Sequence, residues 1–84
     1  IQAHTHRLSK REIYLTQEVL IIRKGTIKVD IYDTEKAYLD SRVLEAGDVI
    51  LLVGGGHGYE ALEELEMVEI KQGPYLGKDD RIML

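Results

Sequence analysis

The residues of this chain that could do chemistry are first its three histidines, His4, His6 and His57, and the carboxylate of Glu18. His4 and His6 are one residue apart, so in a strand both imidazoles leave the same face. Neighbouring imidazoles on a rigid strand make ready ligands for Fe, Mn, Ni, Zn or Cu, and a carboxylate completes a site for the harder of these ions. A His-Thr-His near a chain end is also what two solvated, idle side chains look like, and the pair alone does not choose. Glu18 adds information. It directly precedes the apolar run Val19-Leu-Ile-Ile22, and a carboxylate at the mouth of a buried strand is costly unless it is paired, hydrogen-bonded or bound to a cation.

His57 follows an unusual stretch, Gly47-Asp-Val-Ile-Leu-Leu-Val-Gly-Gly-Gly-His-Gly-Tyr-Glu60. An apolar run that stops at three glycines predicts a tight turn where the backbone takes positive φ or passes close to a pocket, aiming His57 inward. A mobile loop with His57 in solvent is the plainer alternative. A phosphate loop is excluded, since neither Gly-x4-Gly-Lys-Ser/Thr nor Gly-x-Gly-x-x-Gly is present. An esterase oxyanion hole is excluded as well, because no Gly-x-Ser-x-Gly occurs. Tyr59, two residues past His57, shares its face in a strand and could line a pocket, although the five tyrosines are the only aromatics and are needed for packing.

The elements that must position these residues read as strands. Thr26 to Asp33 puts Ile27, Val29 and Ile31 on one face and Lys28 and Asp30 on the other, the period of a half-buried strand. Val19 to Ile22 and Val49 to Val53 are continuous apolar runs of strand length, suited to burial on both faces. Glu60 to Lys71 admits one helix, with apolar residues at 61, 62, 65 and 68. Its second half, Glu-Met-Val-Glu-Ile-Lys71, instead favours two strands with a turn at Glu63-Glu64. Gly73-Pro74-Tyr75 marks a turn before a closing strand, Arg81 to Leu84. Short strands between breakers at this spacing predict an all-β sandwich or barrel.

On these residues the chain resembles the cupin superfamily. His4-Thr5-His6 matches its His-x-His, and Glu18 followed by six residues and Gly25 matches the second half of its first motif. Gly47 and Gly55 match positions of its second motif, and His57, one residue earlier than the motif has it, is the candidate for its histidine. Eleven residues separate His6 from Glu18, where the family has three or four; Leu8 to Gln17 would have to lengthen a hairpin, which costs only slowly growing entropy. The resemblance implies a double-stranded β-helix, a jelly-roll barrel, as a single cupin-like domain over residues 1–84. It also implies one divalent metal on His4, His6, Glu18 and His57, and a small polar substrate or ligand. A non-catalytic ligand-binding or sensor cupin, or a metal-free dimerisation scaffold, fits the same pattern, and fold does not choose an activity.

Composition bounds the rest. Eighty-four residues make one domain near the lower limit for a self-sufficient core. The absence of cysteine removes disulfide staples and thiolate chemistry, so a homodimer is expected to supply stability. A net charge of −4 without a long basic stripe excludes a nucleic-acid binder. No apolar run is long enough to span a bilayer as a helix, and no signal peptide is visible, so a cytoplasmic protein is expected. The start at Ile1 rather than Met fits a processed chain or an excised piece.

Overall fold

The computed structural model of the chain describes residues 1–74, 76, 77 and 81–84. Six strands follow one another: β1 (Gln17–Lys24), β2 (Thr26–Tyr32), β3 (Tyr38–Glu45), β4 (Val49–Val53), β5 (Gly56–Ala61) and β6 (Glu66–Lys71). They form two antiparallel three-stranded sheets. Sheet A has the order β4-β1-β6 and sheet B the order β3-β2-β5. The protein is therefore all-β, and residues 60–71 are split between two strands rather than forming a helix, with the turn at 62–65.

Four of the five connections carry the chain from one sheet to the other, and only β2 to β3 is a hairpin within a sheet. The tightest crossing is the single residue Gly25, between β1 and β2. Its φ is +85°, and a Cβ there would lie 2.1 Å from the Glu64 carbonyl oxygen, so no other residue fits this corner. Asp33 shapes the hairpin, its carboxylate accepting from the Glu35 and Ala37 amides at 2.8 and 2.9 Å.

The sheets pack through a small core. Leu20, Ile22 and Leu52 from sheet A meet Ile27 and Val29 from sheet B, with Ile31, Leu44, Ile50, Leu65 and Met67 packed around them. Ile27 and Val29 fall inward as the alternation of β2 predicts.

Three sequence expectations need correction. Val19 to Ile22 and Val49 to Val53 are not covered on both faces. The buried residues of β1 are Glu18, Leu20 and Ile22, and that of β4 is Leu52, while Val49 and Leu51 stay 61% and 58% exposed. The reason is the layer count, since among the described residues no element lies over the outer face of sheet A. Residues 81–84 form no strand; instead Leu84 packs against Gly56. Residues 1–16 form no strand either, so the segment from Leu8 does not extend a hairpin. Residues 1–16 are exposed, in keeping with a radius of gyration of 15.4 Å against about 12 Å for a compact domain of this length, while Leu15 reaches the Gly54 turn. The turn expected at Gly73-Pro74-Tyr75 involves Tyr75, which lies outside the described residues.

Candidate functional site

Glu18 is the second residue of β1, and its side chain enters the space between the sheets on the row it shares with Leu52 of β4 and Lys71 of β6. Across that space β5 presents His57 and Tyr59, opposite Ile31 and Val29 of β2. The turn that feeds β5 is built by Gly54 and Gly55, at φ +65° and +59°, and a Cβ on Gly55 would lie 2.5 Å from the Tyr32 carbonyl oxygen. The glycine run thus places His57 at the start of an inward-facing row, as the sequence predicts.

Both carboxylate oxygens of Glu18 are engaged. The Tyr59 hydroxyl donates to Oε1 at 2.9 Å, and His57 Nε2 lies 3.2 Å from Oε2. The imidazole and phenol rings stack with centroids 5.4 Å apart and an interplanar angle of 22°. Glu18 is the one buried charged residue among those described, at 5% exposure, and these contacts are what makes its burial tolerable.

Glu69, on the inner face of β6 beside Glu18, completes the group. Burial pushes the Glu18 carboxyl up, but hydrogen bonds from Glu69 and Tyr59 and the charges of His57 and Lys71 outweigh it, and Glu18 is held below its ordinary value. The Glu69 carboxyl moves the other way, raised first by its hydrogen bond to Glu18, then by burial and by the Glu18 charge. Tyr59 is pushed well above the usual phenol range by burial and by its bond to Glu18, so it remains a donor throughout the neutral range.

These groups line a cavity of about 720 Å³, within the size range of small-molecule sites. Its wall adds Leu15, Leu52, Lys36, Lys71, Arg81 and Leu84. His57, oriented by its 3.2 Å contact with the Glu18 carboxylate, is the imidazole of this cavity suited to proton transfer.

The four positions expected to bind a metal separate into two pairs. Glu18 and His57 meet in the cavity. His4 and His6 sit on the exposed N-terminal segment, their rings edge-on at 5.2 Å and His4 Nδ1 2.9 Å from the Gln2 carbonyl oxygen. Among the described residues no group of three or more His, Cys, Asp or Glu side chains is arranged to hold a metal ion. The donors as placed do not fit a three-histidine, one-glutamate centre, and no chemistry is derived through one. Tyr59 lines the site, and Glu69, Lys71 and Arg81 join it without having stood out in the sequence. For Glu69 and Lys71 the one available signal was the β6 register, which puts them on the row of Met67. The apolar alternation of Val68 and Ile70 points to the opposite face.

No known family, curated protein or solved structure matches this chain. Among the described residues no helix is long and apolar enough to cross a membrane.

Proposed function

We propose that this chain is a single-domain jelly roll of the cupin kind whose inter-sheet cavity binds a small polar molecule carrying a carboxylate or phosphate. The repeated crossing of the chain between two sheets supports the jelly-roll reading, because that is how such a fold winds. The observation that carries the function is the buried Glu18 carboxylate, held by Tyr59 and His57 in a cavity of about 720 Å³. A protein of this size does not desolvate a carboxylate beside two aromatic donors for stability alone, since an apolar trio would fill the same space at lower cost. Lys36, Lys71 and Arg81 on the wall suit an anionic group, while Glu18 and His57 would hydrogen-bond the polar part of the ligand.

Amide chemical-shift mapping with inorganic phosphate, small carboxylates and sugar phosphates tests this. The expected result is shifts clustered at Glu18, Gly55 to Tyr59 and Glu69, with affinity falling about tenfold or more in Glu18→Gln, as for a lost charged hydrogen bond. Shifts scattered over the surface, or binding indifferent to Glu18→Gln and His57→Ala, would overturn it. Stoichiometric metal in protein purified without added metal would also replace this reading. His4 and His6 would then have to fold onto Glu18 and His57.

A further inference from the structure

The outer face of sheet A is apolar over its whole width. Val19, Leu51 and Ile70 form one cross-strand row, and Ile21, Val49 and Val68 form the next. Val53, opposite Gln17, extends the face by one position. Five of these seven side chains are more than a third exposed. The protein thus leaves more large aliphatic side chains on this one face than the five that make up its buried core. That is the reverse of what a small self-sufficient domain needs.

We infer that this face is the interface of a symmetric homodimer in which sheet A of one copy packs face to face on sheet A of the other. Three observations select a second copy as the occupant. The first is area. The seven positions offer on the order of 500 Å² per copy, near the upper end of what a soluble monomer exposes in one patch. With their rims, two copies reach about 1,200 Å² in total, the lower bound of a specific interface. The second is charge. The chain carries −4, yet the face is bounded by Gln17 and Gln72 at one end and by the Arg23–Glu66 ion pair, at 3.7 Å, at the other. Two identical copies therefore meet without like-charge repulsion, which an isologous contact requires. The third is geometry. A two-layer sandwich covered on one side by an identical sheet gives β1 a layer on each face, the environment its unbroken Val-Leu-Ile-Ile run suits. The cavity lies on the inner side of the same sheet, so pairing leaves the site open and the two proposals fail independently.

Sedimentation and light scattering on the full chain, from low to high micromolar concentration, test the inference. The wild-type protein is expected at twice the chain mass. Leu51→Glu, on a side chain 58% exposed, is expected at the chain mass with its circular dichroism unchanged. Should Leu51→Glu fail to fold, Ile70→Lys on the other flank of the face gives the same reading. As a control, Val43→Glu on the outer face of sheet B is expected to stay dimeric. A wild-type monomer at high micromolar concentration overturns the inference and leaves the face to a different partner. A dimer that persists in both Leu51→Glu and Ile70→Lys overturns it too, since association would then run through another surface.

Discussion

The two sheets have the same strand number and the same antiparallel pairing, and they differ on the sides that face away from each other. Outside sheet B, Val43-Lys28-Glu60 and Ser41-Asp30-Gly58 form the cross-strand rows. Polar contacts lace these together: Ser41 donates to Asp30 at 2.5 Å, Tyr38 and Ser41 share a hydrogen bond at 2.6 Å, and Lys28 lies 3.6 Å from Asp30. Outside sheet A the matching rows are Val, Ile and Leu. Sheet B is finished as a solvent-facing surface and sheet A is not. A continuous apolar run suits a strand that lies between two layers, and the described residues of one chain supply one of the two for β1 and β4.

Truncation on the two sides of sheet A should expose this difference most strongly. Leu20 is fully buried between the sheets, and Leu20→Ala is expected to cost about 2–5 kcal/mol at every protein concentration, from lost transfer energy plus a cavity. Leu51→Ala should cost less than about 0.5 kcal/mol in dilute protein, where its side chain stays in water. Its cost should grow with concentration as the dimer becomes populated. Denaturant titrations at two concentrations separate the cases. A Leu51→Ala cost that is large and independent of concentration would mean that the face is covered within a single chain.

The next effect lies at the corner joining the sheets. Gly25→Ala forces a Cβ against the Glu64 carbonyl at a φ of +85°, and it is expected to lower stability by more than about 2 kcal/mol. Gly58→Ala, on the outer face of sheet B where a Cβ meets nothing within 4 Å, should change stability by less than about 0.5 kcal/mol. Thermal melts of the two variants make the comparison. Equal losses would mean that intrinsic glycine effects, rather than the close approach of β1 to the 62–65 turn, set the requirement.

Much of this was legible in the residues. The alternation of Thr26 to Tyr32, the breakers between runs and the three glycines before His57 are local signals, and local stereochemistry decides them. Glu18 could be recognised as a problem needing a partner because burying a charge is expensive wherever it occurs. Its partners were less legible, since Tyr59 and Glu69 reach Glu18 through pairings between distant strands. In β6 the periodicity misleads. Val68 and Ile70 look like the inward residues, and it is the polar row of Glu69 and Lys71 that faces the cavity, because sheet A is apolar on its outer side as well. The His4-Thr-His6 reading depended on those residues forming a strand, yet pattern alone cannot show that a segment lacks a sheet edge to join. Residues 1–16 have none among the described strands.

The smallest expected effect sits on the inner face of sheet A and should leave the dimer untouched. Glu69 is raised above its ordinary value in the folded protein. Its contribution to stability is therefore fully present below the unfolded carboxylate range and is lost as pH rises through the raised value. Glu18 is lowered, so its contribution is present above that range and is lost as pH falls through the depressed value. The two losses bracket a pH window in which both contributions are present. Glu69→Gln keeps a donor beside Glu18 that cannot ionise. The variant should match wild type at acid pH and become the more stable of the two as pH rises through the Glu69 transition, after which the difference levels off. Exposure of Glu69 to solvent screens the effect and keeps it small. Melting temperature against pH, with the molar mass checked at each point, is the measurement. Parallel curves for the two proteins would show that Glu69 is not raised in the folded protein, and Glu18 would then owe its lowered value to Tyr59 and to nearby positive charge alone.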